Sequence, residues 1–404
     1  METVPTASLA SKVTTHLAQL CREPRPVGTP GNRAANELFQ RICASFGFEV
    51  ESAELPCLVW ERGLSRLEAG SEVYDLCTGP YSRPCDGSAP LVAAASVEEL
   101  ERGGFEAKVL LVHGDLCSGQ LMPKNFVFFN PESHQRIVRA LEAARPLAII
   151  AATGQNPELA GGPYPFPLLE DGDFDVPNAY LKDVDGARLL RHVGREVAIS
   201  IDSRRRSATT PQLLARKRGN SDKRLVFFAH IDTKYGTPGA LDNGAGVCAL
   251  LGLAELLRDY SGRHTIELVP LNGEDCYGVP GQMHWLAQNE GRLGNIVSGF
   301  NVDGAGFAGQ RIAVSFYECP AQVRPIVEAA MGRVGFVEGP QWPQGDHSIL
   351  VLNGVPAVAL TSENAFFISS TVAHTEQDTP EQVDPETVEQ VARFLAAVAE
   401  GLGY

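Results

Sequence analysis

The chain has 404 residues, 44% hydrophobic and 21% charged, which is the composition of a globular protein long enough for two or three domains. Its 34 Lys and Arg face 49 Asp and Glu, for a net charge of −15, and its short basic runs lie in polar connecting stretches. We therefore expect no nucleic-acid partner. No apolar run is long enough to span a bilayer, and the first 20 residues show no signal-peptide pattern, so we expect a cytoplasmic protein that binds no membrane.

The nine cysteines are scattered along the chain without a CxxC pair. Their odd number and spacing argue against a disulfide framework or a Cys-ligated zinc site, and favour reduced thiols that pack as small hydrophobic residues. Cys276 follows an acidic pair, but no neighbouring base and orienting group that would activate a thiol is visible, so a cysteine nucleophile is not expected.

The first third of the chain changes character near residue 55. Apolar residues at i, i+3, i+4 spacing predict helices over 7–21 and 33–46, and an extended strand follows near 48–52. Beyond it, short strand-like runs broken by Gly, Pro and Ser predict a separate β-rich domain over 55–205. Its clearest elements are strands at 109–113, 147–152 and 197–201 and helices near 97–103 and 136–145.

A regular alternation of strands and helices begins near residue 213. Strands are predicted at 225–229, 265–271, 296–302, 312–316 and 355–360, and helices at 246–260, 281–289, 322–334 and 385–401. This alternation predicts an α/β three-layer sandwich with a mixed, largely parallel central sheet. We therefore divide the chain into a catalytic domain formed by 1–54 and 206–404 and an inserted domain formed by 55–205.

Histidines and carboxylates follow the strands of this predicted sheet. They are His230 and Asp232 after the first strand, Asp242 in a Gly-rich loop, Glu274 and Asp275 after the second strand, Asp303 after the third, and His374 beyond the last. The carboxyl ends of parallel strands form one edge of an open sheet, where ligands bind. A single such Asp is usually a helix cap or turn residue, but several at one edge repel each other unless a cation is bound.

Imidazole and carboxylate ligands without Cys suit Zn²⁺, Mn²⁺ or Co²⁺. Two such ions that share one carboxylate can polarise a carbonyl group and generate a hydroxide nucleophile at neutral pH. One carboxylate must then remain free to accept the proton of the attacking water. The adjacent pair Glu274 and Asp275 suits this division, because neighbouring side chains at the end of a strand diverge.

Six motifs in order resemble the M28 family of di-zinc aminopeptidases. They are His230-x-Asp232, Ala240-Leu-Asp242-Asn-Gly-Ala-Gly, Gly273-Glu274-Asp275, Asn301-x-Asp303, Gly345-Asp346-His347-Ser348 and His374-Thr. The resemblance covers the opening helices and 210–404, and it implies the zinc exopeptidase fold. The region 55–205 resembles the protease-associated domain that many members carry at this point. One motif alone would be weak, whereas six in order are specific.

The resemblance implies two Zn²⁺ ions per chain and assigns their ligands. His230 and Asp303 would bind one ion, Asp275 and His374 the other, and Asp242 would bridge both.

It also implies roles for residues around the ions. Glu274 would be the general base, and Asp232 would accept the second ring N–H of the ligand histidine. Asp346 and His347 match a family segment near the active site, although a structural turn is an equally open interpretation.

The sequence departs from the family pattern at two positions. The family usually has Glu where this chain has Asp275, and a family tyrosine that stabilises the oxyanion in some members falls on or near Trp342. Phe366 and Phe367, with Trp342, are candidates for an apolar substrate pocket, and packing within the protein is the competing interpretation.

These observations predict a metallo-aminopeptidase that releases the N-terminal residue of peptides, or hydrolyses a small amide, with a zinc-bound hydroxide as nucleophile. A carboxypeptidase or a specialised amidase with the same metal site remains open, and Arg311 is a candidate clamp for a substrate carboxylate. A single-zinc glutaminyl cyclase is disfavoured because His230 and Asp303 complete a two-metal set. An inactive binding scaffold is disfavoured because such chains typically lose ligands.

Overall fold

The computed structural model describes residues 8–155, 163–342 and 344–403. Its α-helices are α1 (Leu9–Leu20), α2 (Pro30–Ser45), α3 (Val97–Glu101), α4 (Glu132–Ala144), α5 (Asp183–Leu189), α6 (Ala245–Leu256), α7 (Pro280–Gln288), α8 (Arg324–Val334), α9 (Ser348–Val351), α10 (Ala365–Thr371) and α11 (Pro385–Gly403). Within the described ranges, none of these helices has both the length and the apolar character needed to cross a bilayer.

The β-strands alternate with these helices along most of the chain. They are β1 (Glu49–Ala69), β2 (Glu72–Thr78), β3 (Cys85–Ala94), β4 (Val109–Val112), β5 (Ala148–Thr153), β6 (Asn178–Lys182), β7 (Glu196–Lys217), β8 (Arg224–His230), β9 (Thr265–Leu271), β10 (Ile296–Val302), β11 (Ile312–Tyr317), β12 (Val337–Glu338) and β13 (Ala357–Ser362).

The chain divides into two compact units. One contains the chain up to Cys57 and from Thr209 onward, and the other, here called the inserted unit, contains Leu58–Ala208. The sequence analysis placed these boundaries at 54/55 and 205/206, whereas the structure places them inside the long strands β1 and β7.

The first unit contains a mixed sheet with a parallel centre. Its strand order is β7-β9-β8-β10-β13-β11-β12. The four central strands β9, β8, β10 and β13 are parallel, and β7 and β11 pair antiparallel to either side of them. The carboxyl ends of the four parallel strands therefore lie at one edge, as the sequence predicted.

Side chains of β8 alternate between two packed faces. Leu225 and Phe227 join a core that includes residues of α1, α2, α6 and α11. Phe228 faces the opposite way and meets Trp285 of α7 edge to face, with ring centroids 5.1 Å apart. Because helices cover both faces, every residue of this strand is buried, and the strand reads as a continuous apolar run.

The two opening helices begin at side-chain caps. Ser8 accepts a hydrogen bond from the Ser11 amide before α1, and Thr29 accepts one from the Asn32 amide before α2, where Pro30 occupies the first turn. The predicted start of the first helix at residue 7 lies outside the described residues.

The inserted unit has an α/β arrangement of its own. Strands β3, β4, β5 and β6 are parallel neighbours, and two apolar clusters pack around them. The sequence analysis interpreted this region as β-rich but did not predict the strands β2, β3 and β6. It also missed the helix α5, which is too short for its periodicity to stand out.

Two further predictions need correction. The predicted helix over 246–260 ends at Leu256. The segment between β13 and His374 was taken as a loop, but it contains α10, which Asn364 caps by accepting a hydrogen bond from the Phe367 amide.

A buried cluster of charged side chains lies at the end of the sheet opposite to the ligand residues. Glu267 is fully buried, and its carboxylate accepts hydrogen bonds from Arg216 Nε and Arg224 Nη1, both at 3.0 Å. We expect Glu267→Ala to lower the free energy of unfolding by about 3–5 kcal/mol, because two arginines lose their buried partner. Arg311→Met, which breaks an exposed pair with Glu363, is the control and should leave urea unfolding close to that of the wild type. Equal losses in the two variants would contradict this account.

Candidate metal centre

The predicted ligand residues meet at the carboxyl edge of the parallel strands. His230 is the last residue of β8, and Asp303 directly follows β10. Asp275 lies four residues after the end of β9, and Asp242 lies in a short turn before α6. His374 reaches the same place from the segment after α10, where its backbone adopts a left-handed φ of 60°. A residue other than glycine holds that conformation only where its surroundings enforce it.

Asp242 lies between the two histidines. Its Oδ1 is 2.9 Å from His230 Nε2, and its Oδ2 is 3.0 Å from His374 Nε2. One carboxylate thus faces two imidazoles through its two oxygens, as a carboxylate that bridges two cations would.

Each histidine has a second carboxylate beside it. His230 Nε2 lies 3.6 Å from Asp303 Oδ1, and His374 Nε2 lies 3.0 Å from Asp275 Oδ1. The five residues therefore form two His–Asp pairs that share Asp242, which is the grouping that the family resemblance implied. Single ligand atoms of His230, Asp242 and Asp275 all lie within 4.8 Å of one another.

The charges of this cluster fit a bound divalent cation. Burial alone would lower the pKa of each imidazole, yet the adjacent carboxylates raise the pKa of both His230 and His374 well above its usual value. The carboxylates around the two Nε2 atoms thus favour a positive charge at this place. Metal ions supply that charge without protons, and nitrogen and oxygen donors without sulfur suit Zn²⁺, Mn²⁺ or Co²⁺.

Unpartnered polar atoms support the same assignment. Among the described residues, neither Asp275 Oδ2 nor His230 Nδ1 has a hydrogen-bond partner, although both atoms are buried. Buried polar atoms normally have a partner, and a coordinated ion would provide one for the Asp275 oxygen.

Asp232 has a different role from the one predicted for it. Its Oδ1 is 3.8 Å from His230 Nδ1, which is too far for the predicted hydrogen bond. Instead, the carboxylate accepts hydrogen bonds from the backbone amides of Gly273, Glu274 and Asp275 at 2.7–3.1 Å. Asp232 therefore holds the backbone that carries the acidic pair. Its burial raises its pKa to about 6.

The two residues of the acidic pair differ in their exposure and contacts. The Asp275 side chain is 2% exposed and points to His374, whereas Glu274 is partly exposed. Burial raises the pKa of Glu274 well above its usual value, and the neighbouring carboxylates add to this effect. The Glu274 carboxylate is thus beside the ligand residues without contacting a histidine of the cluster at salt-bridge distance.

Asp346 and His347 lie in the interior, next to this cluster. Gln282 Nε2 donates a hydrogen bond of 2.7 Å to Asp346 Oδ1, and burial raises the pKa of this carboxyl group to about 7. A Cβ atom added at Gly345 would lie 3.4 Å from Asp303 Oδ2. Both residues are about 1% exposed and lie in a turn before α9, so the structural-turn interpretation stands beside the functional one.

An aromatic group surrounds His347. Its ring centroid lies 4.6 Å from that of Tyr317 and 4.9 Å from that of Trp342. The Tyr317 hydroxyl donates to the Trp342 backbone oxygen and accepts from the Trp342 amide. Sequence reasoning considered only Trp342 near the oxyanion position and missed Tyr317, whose phenol is engaged by the backbone.

Phe366 and Phe367 lie on the surface of α10. They are 62% and 45% exposed, and Phe367 contacts Phe307 with ring centroids 6.2 Å apart. The structure therefore does not pack them into the core, and their role as a substrate pocket stays a prediction.

Asp378 is a further residue that supports the site. It is fully buried, and its two carboxylate oxygens accept hydrogen bonds from the amides of Leu241 (2.6 Å) and Asp242 (3.0 Å). It lies four residues after His374 in the sequence, but nothing in its local pattern distinguishes it from an ordinary turn residue.

Known proteins share this fold. The structure of an aminopeptidase from Aneurinibacillus sp. strain AM-1 aligns with 96% of this chain and 93% of its own chain, with a TM-score of 0.77 and 18% identity. BSAP, a zinc aminopeptidase from Bacillus subtilis, aligns with 96% of this chain and 94% of its own chain, with a TM-score of 0.73 and 19% identity. A glutaminyl cyclase from Fimbriiglobus ruber also matches, with a TM-score of 0.52 and 14% identity over 99% of this chain and 97% of its own. The predicted fold class, that of zinc exopeptidases, is therefore confirmed.

Sequence comparison points to peptidases among the proteins that share this fold. Residues 212–399 match the model of Peptidase family M28, so this part of the chain is similar to M28 peptidase domains. A probable lipoprotein aminopeptidase of Mycobacterium tuberculosis, LpqL, is 27% identical over 241 residues, which are 57% of this chain and 44% of that protein. The chain thus spans less than half the length of this relative. The likeness of the inserted unit to a protease-associated domain stays a prediction.

Zinc should stabilise the folded chain. At a free Zn²⁺ concentration 1,000 times the dissociation constant, we expect a gain of about 4 kcal/mol in the free energy of unfolding. Asp242→Ala should remove most of the zinc-dependent rise in melting temperature, because both pairs lose their shared carboxylate. His264→Gln is the control, since His264 precedes β9 at the opposite end of the sheet and should keep the rise. A melting temperature that zinc leaves unchanged in the wild type would exclude the metal site.

Proposed function

We propose that the chain is a metal-dependent aminopeptidase that hydrolyses the N-terminal amide bond of peptides, with two Zn²⁺ ions per chain, or Mn²⁺ or Co²⁺ in their place. The observation that carries this proposal is the arrangement of two His–Asp pairs around Asp242, with Glu274 beside them. When bound, the ions would polarise the amide carbonyl and lower the pKa of a water molecule.

Glu274 is the group that moves the proton. A carboxylate next to the ligands, but not among them, can accept the proton of the attacking water and deliver it to the nitrogen of the leaving amine. Asp232 supports this step indirectly, because its three hydrogen bonds to backbone amides hold the backbone that carries Glu274 and Asp275.

The charge around the site favours an N-terminal substrate group. Carboxylates dominate the cluster, and a free α-ammonium group is attracted to such a site. A carboxypeptidase would instead need a cation for the substrate carboxylate. Arg311, the candidate from the sequence, pairs with Glu363 through two hydrogen bonds of 2.9 and 2.6 Å. Lys234 donates to the Asp275 backbone oxygen at 2.9 Å, and this contact holds it against the ligand segment.

An inactive scaffold is less compatible with these residues. The five ligand candidates and the base candidate are all present, and the ligand candidates are in contact. A cluster of buried carboxylates that served no cation would destabilise the fold through repulsion.

Replacement of the proton-transfer group tests the proposal. With a free aminoacyl 4-nitroanilide as substrate, we expect Glu274→Gln to lower kcat by roughly 10²–10⁴-fold while zinc content stays at the wild-type value, because the amide cannot accept the proton. Glu363→Gln, an exposed change outside the cluster, should retain activity. Zinc content is measured by atomic emission on the samples used for kinetics.

Blocked substrates separate the alternatives. N-acetylation of the anilide should abolish cleavage, and an N-blocked dipeptide with a free carboxylate should not be cleaved. Cleavage of only that dipeptide would replace the proposal with a carboxypeptidase. Full activity of Glu274→Gln would contradict the role of Glu274.

A further inference from the structure

Arg25 is a buried cation whose partners are backbone carbonyl groups. It lies between α1 and α2 and is 0% exposed. Its Nε donates to Ile231 O at 3.0 Å, and its Nη1 donates to Leu20 O at 3.0 Å and Pro238 O at 2.8 Å. Its Nη2 donates to Gly239 O at 2.8 Å. Four of the five guanidinium N–H donors are therefore used on main-chain oxygens.

A buried arginine normally pairs with a carboxylate. Among the described residues, no carboxylate oxygen lies within 4.0 Å of the Arg25 guanidinium. Asp378 is the acidic group whose pKa its charge lowers, although burial of that carboxyl has the larger, opposite effect. The guanidinium thus fixes backbone geometry rather than serving as half of an ion pair.

The carbonyls that Arg25 binds flank two candidate ligands. Ile231 directly follows His230, and Gly239 lies three residues before Asp242. Gly239 has a φ of +65°, and a Cβ atom there would lie 3.1 Å from Arg25 Nη2 and 2.2 Å from a Thr233 methyl carbon. Only glycine therefore permits this close approach of the backbone to the guanidinium.

Asp378 holds the same segment from its amide side. It binds the amides of Leu241 and Asp242 through its carboxylate, and its backbone oxygen accepts from the Ala240 amide at 3.1 Å. The Arg25 guanidinium thus binds carbonyl groups of the segment before Asp242, and the Asp378 carboxylate binds the amides of Leu241 and Asp242.

The chain segment that contains Arg25 also reaches the acidic pair. Asn32 Nδ2 donates to Arg25 O at 3.0 Å and to Asn272 Oδ1 at 2.8 Å. Asn272 returns a hydrogen bond of 3.0 Å to Asn32 Oδ1, and it lies two residues before Glu274. One short segment is therefore hydrogen-bonded to the backbone around His230 and Asp242 and to the residue that precedes the acidic pair.

We propose that Arg25 is a positioning residue of the metal centre: its guanidinium sets the spacing between the end of β8 and the segment that carries Asp242, and so determines how tightly the chain binds its ions. This inference rests on the metal site of the proposed function. It concerns ion affinity and does not depend on which amide bond is cleaved.

The test compares Arg25→Lys and Arg25→Met with the wild type after removal of metal with a chelator. Lysine keeps the charge but cannot bind four carbonyls in different directions, and methionine removes both charge and donors. Titration with Zn²⁺ against a competing chelator should show affinity about 10- to 100-fold weaker in both variants. The visible absorption spectrum of the Co²⁺-loaded protein should change, because ligand geometry changes, and the zinc-dependent rise in melting temperature should shrink.

Arg224→Lys is the matched control. Arg224 is also buried and hydrogen-bonded several times, but it lies at the opposite end of β8 from His230. We expect it to lower the melting temperature of the metal-free and zinc-loaded forms equally, with wild-type zinc affinity and cobalt spectrum.

The outcomes separate this inference from the proposed function. Wild-type zinc affinity and cobalt spectrum in Arg25→Lys would overturn the positioning role alone, and this variant decides the test if Arg25→Met does not fold. A wild-type chain that binds no zinc would overturn the positioning role together with the proposed function.

Discussion

Asp242 places one carboxylate between two imidazoles, and the rest of the candidate site is arranged around that contact. His230 and His374 face its two oxygens, and each histidine has a further carboxylate beside it. Acidic groups this close and this deeply buried repel one another, and desolvation raises the free energy of each charged form. A bound cation would relieve this repulsion, and the nitrogen and oxygen donors present suit metal coordination.

Charged side chains around the cluster act mainly on the backbone. Asp232 binds three amides of the segment with the acidic pair, Asp378 binds amides up to Asp242, and Arg25 binds the carbonyls that precede it. Each of these residues fixes a segment that carries a candidate ligand or base, rather than contacting the reacting groups. Such support matters because metal geometry tolerates only small displacements of its ligands.

The fold alone leaves the reaction open. Structures of two aminopeptidases and of a glutaminyl cyclase share this architecture with the chain at less than 20% identity. A fold positions strand ends, and the side chains at those ends decide the chemistry. The five ligand candidates and Glu274 therefore carry the proposed two-metal peptidase activity.

The sequence by itself determined the alternation of strands and helices and the residues at the strand ends. Burial on both faces makes residues 225–229 of β8 a continuous apolar run, so His230 could be recognised as the polar group at its end, and Asp303 as the carboxylate directly after β10. The motif order then predicted which residues meet. Local periodicity carries this information because it reports which faces of an element are buried.

Only the tertiary structure decided the hydrogen-bond partners. Arg25 and Gly239 are 214 positions apart in the chain, and no local pattern links them. Asp232 was predicted to bind the imidazole of His230, which is near it in sequence. In the structure it binds the amides of residues 273–275, which are distant in sequence. The short helix α10 was also missed, because seven residues give too few turns for a periodic signal. The hydrogen-bond partners of a buried charged side chain depend on which backbone groups lie unpaired near it in the interior. Packing between segments that are distant in sequence determines which groups these are.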